Sequence, residues 1–190
     1  PAIKHPLVTV PVHNLLVLAG MVAYGLTSDI RTVLLKGLFT LVPLQVLYDL
    51  VLLNAIGTPK LTNVPLLVAS ALLITVVLSV PVFVVLLVFG APLASHLPET
   101  MLLSLHLAVL VFNPLLVVFK IDLHAFTAIF KVTQVYRLIF SNLVLASSFM
   151  AIVGTWMGVI PIPLDWDRPW QQWPVTLLFG AYLGTTGGGL

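Results

Sequence analysis

Gln45 and Asp49 stand four residues apart inside an apolar run, so a helix carries both on one face. Polar and ionisable groups at membrane depth are expensive and mark functional sites by default. Asp49 is therefore expected to need a partner. The pair has two readings. One is the polar lining of a cavity for a lipid head group. The other, which takes precedence, is interhelical hydrogen bonding worth about 1 kcal/mol per bond. His13, Asn14, His106, Asn113 and Asn142 are further polar groups within or near apolar runs. They read as hydrogen-bonding groups in the same way.

Other chemistry is thinly equipped. His5, His13, His96, His106 and His124 are dispersed, with neither His-x-x-x-His nor paired-carboxylate spacing, so no metal site is expected. Without cysteine there is no thiolate ligand or cysteine nucleophile. No serine sits in a Gly-x-Ser-x-Gly elbow, and no glycine loop suited to phosphate follows a strand. No catalytic residue and no cofactor are assigned. The eight basic residues are scattered along the chain, which argues against nucleic-acid binding.

Two patterns carry more. Ser147, Ala151, Gly154 and Gly158 recur at spacings of three and four, and Gly180, Gly184 and Gly188 repeat the pattern. Such small-residue faces let helix backbones approach closely, either each other or a partner's. The second pattern is the segment Pro161 to Pro174, with four prolines and with Trp166, Trp170 and Trp173. Proline forbids a continuous helix there. Tryptophan suits the bilayer interface. Asp165, Asp167 and Arg168 add charge that can order the segment through Arg–carboxylate bonds. It reads as an aromatic belt with an internal ion pair, or as a binding surface.

The elements that position these residues follow from composition. The chain is 60% hydrophobic and 7% charged. A soluble domain carries about a quarter charged residues, so lipid must be the main solvent here. At about 20 apolar residues per span, the 190 residues form a single transmembrane domain with no separate soluble unit. Apolar runs predict an all-α bundle of about six spans, at 10–26, 37–56, 64–89, 99–119, 138–160 and 175–190. Pro81 and Asn113-Pro114 are expected kinks. Ile121, Phe126, Ile129, Phe130 and Tyr136 share a helical face, which predicts an amphipathic interfacial helix over 121–136; the competing reading extends a neighbouring helix. Lys4, Lys60, Lys120, Lys131 and Arg137 face Arg31, Lys36 and Arg168 across the bilayer. This bias puts the N-terminus in the cytoplasm and the 161–174 loop on the far side. The chain opens on Pro1 rather than methionine, so a longer natural chain is expected.

Ile160 to Pro174, preceded by Gly154-Thr155-Trp156-Met157-Gly158 and followed by Gly180-Ala181-Tyr182-Leu183-Gly184, resembles the phosphatidylinositol-glycan biosynthesis class F (PIG-F) family. The family's Pro-Ile-Pro-Leu-Asp-Trp-(Asp/Glu)-Arg-Pro-Trp-Gln-x-Trp-Pro loop is matched at every fixed position. Gly90-Ala91-Pro92-Leu93, with Glu99-Thr100 soon after, adds a second match. The two cover about a third of the chain.

The resemblance implies a multi-pass endoplasmic reticulum membrane protein of GPI-anchor assembly. It implies a non-catalytic subunit that stabilises large ethanolamine phosphate transferases, with the 161–174 loop in the lumen. The partners implied are that catalytic subunit and membrane lipids, among them the GPI precursor or phosphatidylethanolamine. Asp165, Trp166, Asp167, Arg168, Pro169, Trp170 and Trp173 then become candidate partner or lipid contacts, and the glycine faces candidate subunit contacts. The alternative is a lipid-presenting subunit of the same complex. A stand-alone transporter or enzyme is a third, weaker reading.

Overall fold

The computed structural model describes residues 10–57, 63–122, 142–164 and 166–190. The expected interfacial helix, beyond Asp122, lies outside the described residues, as do Asp165, Lys4, Lys60, Lys131 and Arg137. The described residues form six α-helices and no strand: α1 (Val12–Ala23), α2 (Ile30–Ile56), α3 (Val64–Val88), α4 (Leu97–Val118), α5 (Leu143–Met157) and α6 (Val175–Gly188). A short 3-10 turn, Pro169–Gln171, precedes α6.

By length and composition, α2, α3 and α4 can each cross a membrane. At 1.5 Å per residue they measure about 33 to 40 Å, against a hydrocarbon core of about 30 Å. The chain is thus an all-helical membrane protein. α1 and α5 are apolar but shorter, and α6 has 14 residues.

Helix ends follow local chemistry more closely than the edges of the apolar runs do. α2 begins at Ile30, seven residues before the expected start of that span. Asp29 caps it by accepting the Thr32 N–H at 3.2 Å. That hydrogen bond, and then the positive charge of Lys36, hold the exposed Asp29 carboxyl below its ordinary range. Asn63 caps α3 through the Leu66 N–H. Asn142 caps α5 through the Val144 and Leu145 N–H groups. α2, α3 and α4 each continue through an internal proline, at Pro43, Pro81 and Pro114.

α4 is the central helix, buried along most of its length, and it packs against α2, α3, α5 and α6. α3 keeps most of its surface outward, as a lipid-facing helix should. The main core joins Leu18, Met21, Leu34, Leu103, Leu110, Leu178 and Tyr182 from four helices, with Ile162 and Trp173 of the α5–α6 connection packed on it. The most extensive helix pair is α5 with α6.

Candidate functional site

The α5–α6 pair explains the small residues. A Cβ built on Gly154 would overlap the Gly180 carbonyl, and one on Gly180 would overlap that of Gly154. Gly158 lies against Thr176 and Leu177, Gly184 against Met150 and Ala151, and Gly188 against Ala146 and Ser147. The Ser147 hydroxyl donates to the Thr185 carbonyl. The two faces therefore contact each other in an antiparallel ladder. Of the two expected readings, contact with each other or with a partner, the structure shows the first: the two backbones touch along these faces.

This ladder holds the ends of the tryptophan loop at a set distance. Gln171 organises the loop's interior. Its Nε2 donates to the Pro161 and Leu164 carbonyls at 2.8 and 2.9 Å, and its Oε1 accepts from the Arg168 backbone N–H at 2.8 Å. Prolines lack an N–H, so backbone acceptors in this loop need side-chain donors. Of the carboxylates expected to pair with Arg168, Asp165 lies outside the described residues, and Asp167 makes no ion pair with Arg168. An amide that both donates and accepts suits three backbone groups better than two adjacent charges do. Trp173 anchors the loop by donating its indole N–H to Thr100 Oγ1 of α4 at 3.0 Å.

Trp166 and Trp170 stack obliquely, with centroids 5.9 Å apart. Together with Leu164 they stay exposed, at 56%, 41% and 40%. Pro169 starts the 3-10 turn beside them. Asp167 and Arg168 line an open polar cavity of about 350 Å³ with Gln171 and Gln172. The loop thus presents an apolar aromatic ledge next to two charges, on a frame fixed to α4, α5 and α6.

A second polar assembly is sealed inside the bundle. Asp49 and Gln45 are 0% and 2% exposed. Gln45 Nε2 donates to Asp49 Oδ1 at 2.9 Å, and Asn113 Nδ2 donates to Asp49 Oδ2 at 2.6 Å. Thr75 Oγ1 lies 3.3 Å from Asn113 Oδ1, and His13 Nε2 lies 3.2 Å from Gln45 Oε1. The chain of contacts runs through α1, α2, α4 and α3. Both carboxylate oxygens accept a hydrogen bond, and Asp49 and Gln45 are buried. This is the geometry of interhelical hydrogen bonding.

His106 forms a separate buried link. Its Nε2 meets the Leu34 carbonyl at 3.0 Å and its Nδ1 meets the Tyr182 hydroxyl at 2.7 Å. A carbonyl only accepts, so Nε2 carries the hydrogen and the Tyr182 O–H donates to Nδ1. Among the described residues no group of three His, Asp or Glu side chains is placed to hold a metal ion.

Thr100, Tyr182 and Gln171 entered the sequence reading only as letters of the family match, with no contact assigned to them, and Thr75 did not enter it, although a hydroxyl inside the most apolar helix is a usable signal.

The fold and these sites define a class: an all-helical membrane protein whose buried polar groups tie its helices together and whose ordered surface lies in one proline- and tryptophan-rich loop. A profile of the GPI biosynthesis protein family Pig-F matches residues 9–190. The chain belongs to that family. It is 49% identical over its whole length to Glycosylphosphatidylinositol anchor biosynthesis protein 11 of Debaryomyces hansenii, covering 84% of that protein. It is 42% identical to the protein of that name from Candida albicans, covering 100% of this chain and 80% of the relative. The Saccharomyces cerevisiae protein of the same name is 36% identical over 95% of this chain and 75% of its own length. No solved structure is significantly similar.

Proposed function

We propose that this chain is a non-catalytic membrane subunit that binds and stabilises GPI ethanolamine phosphate transferases. In this role it supports ethanolamine phosphate addition to mannoses of the GPI anchor precursor. The observation that carries the reading is the exposed Trp166–Trp170 ledge on a loop pinned to α4 through Trp173 and Thr100. Exposed, rigid aromatics are the residue type that dominates protein interfaces. Family membership supplies the pathway. In this reading the chain crosses the endoplasmic reticulum membrane six times, α2, α3 and α4 being the helices whose described length suffices for a span. Its N-terminus is cytoplasmic and its 161–174 loop lumenal. Stabilisation follows from mass action, since a partner that binds only the folded state favours it.

The test is co-purification of the large transferase from native membranes with the Trp166→Ala/Trp170→Ala protein. Recovery of the large chain is expected to fall about tenfold, as loss of one hot-spot pair allows, while the variant itself accumulates normally. Unchanged recovery would remove the ledge from the interface.

A second reading makes the chain a lipid-presenting subunit that shapes the GPI or phosphatidylethanolamine site. The cavity beside Asp167 and Arg168 favours it. Asp167→Ala or Arg168→Ala then lowers transferase activity in a complex that stays assembled. If activity and assembly fall together, the loop acts only as a contact.

A further inference from the structure

α1 and α2 meet closely where Gly37 lies under Met21, but they part on the outer side. The opening is a cleft of about 510 Å³. Tyr24 and Lys36 stand at its mouth, and Gly20, Phe39, Leu16 and Leu44 line it further in. Tyr24 to Leu16 and Lys36 to Leu44 are each eight residues along a helix, so the cleft is about 12 Å deep at 1.5 Å per residue.

We propose that this cleft holds one glycerophospholipid of the surrounding bilayer, its phosphate at Lys36 and one acyl chain between α1 and α2. The reading goes beyond the transferase-subunit role and does not depend on it. Three observations carry it. The walls are apolar and open outward, so a hydrocarbon chain is the solvent that fills them. The mouth is cationic. Lys36 lies over the Tyr24 ring, 5.7 Å from its centroid. Among the described residues no carboxylate is within ion-pair distance of it. Asp29, the nearby acid, keeps its negative charge while capping α2, and Arg31 offsets it, so this end stays net positive. The level is also right. Lys36 is seven residues from the Asp29 cap, about 10 Å into the helix, where a lysine stem follows apolar surface and its ammonium reaches the phosphate layer. The apolar groove between α3 and α5, lined by Val85, Val111 and Trp156, has no charged group and lacks that complementarity.

Gly20 makes the idea testable. A Cβ there meets nothing within 4 Å, so a side chain at this position starts out into the open space of the cleft. The experiment uses the full-length protein in nanodiscs of phosphatidylcholine and phosphatidylethanolamine. The probe is a phosphatidylethanolamine with a photoactivatable diazirine on one acyl chain, and a diacylglycerol with the same chain is its counterpart. Peptide mapping is expected to find phospholipid adducts concentrated on residues 12–23 and 33–44. Gly20→Phe lowers them about tenfold while adducts on exposed Leu73 and Val77 of α3 stay constant and the melting temperature holds. Lys36→Gln lowers them, Lys36→Arg retains them, and the diacylglycerol labels as weakly as Lys36→Gln does with phospholipid. Labelling no denser than on α3 means annular lipid only and overturns the proposal. So does labelling unaffected by Gly20→Phe, equal labelling by the diacylglycerol, or crosslinking of the cleft to another protein in place of lipid.

Discussion

At the residue scale, Gln45, Asp49 and Asn113 act by satisfying one another, whereas the buried Asn14 Oδ1 has no partner among the described residues. Asp49 has two donors and is fully buried, so each partner removed leaves a polar group stranded in an apolar core. A double-mutant cycle of Asp49→Leu and Asn113→Leu is expected to give a coupling of about 0.6–1.7 kcal/mol in thermal or denaturant unfolding, the range for hydrogen bonds inside membranes. Additive losses would mean the two side chains do not meet. The depth of Asp49 was legible in the sequence because a lone carboxylate interrupts a hydrophobic run. Its partners were not. Asn113 lies 64 residues away and Thr75 reaches Asn113 across 38, and only the packing of α2, α3 and α4 joins them. Gln171 was hidden differently. It sat in the most distinctive segment of the chain, where the tryptophans and charges drew the reading, yet the neutral amide holds the loop together.

At the element scale, the glycine spacing was readable and its partner was not. A small-residue face states that some backbone comes close. It does not say which one. α5 and α6 use both faces on each other, joined by the short loop between them. Gly154→Leu should therefore prevent the pair from closing, at more than the ~1–3 kcal/mol typical of overpacking. The expected result is loss of the folded chain itself, measured as monodisperse yield and melting temperature without any partner present. Loss of partner recovery with an intact, fully folded chain would instead place the face at a subunit boundary. Helix ends show the same division. The start of α2 at Ile30 follows from the Asp29 cap, a local signal that charge at Arg31 and Lys36 obscured.

At the scale of the whole molecule, the Trp173–Thr100 contact ties the α5–α6 loop to the start of α4. Short connections make α1–α2 and α3–α4 antiparallel neighbours, so residues 24–29, 89–96 and 158–174 share one end of the bundle. Gly189 lies beside Pro11 at the other end. Because the chain has no cysteine, single introduced thiols report sidedness cleanly. Ser28→Cys, Ser95→Cys and Gln172→Cys should react with a membrane-impermeant maleimide only once the lumenal side of sealed microsomes is opened. Asn54→Cys and Leu190→Cys should react from outside. Mixed behaviour within either set would break the antiparallel arrangement.

Composition and apolar run length alone determined that lipid is the solvent and that helices are the elements, because an unpaired backbone in hydrocarbon has no alternative partner. The loop motif alone pointed to the family. The tertiary structure decided which faces are closed and which remain open. Two glycine-rich faces vanish into each other, Asp49 is sealed, and Trp166, Trp170 and the mouth at Lys36 stay outside. That outcome depends on contacts between residues tens of positions apart. No local period records such contacts, since each is set by how the helices pack on one another.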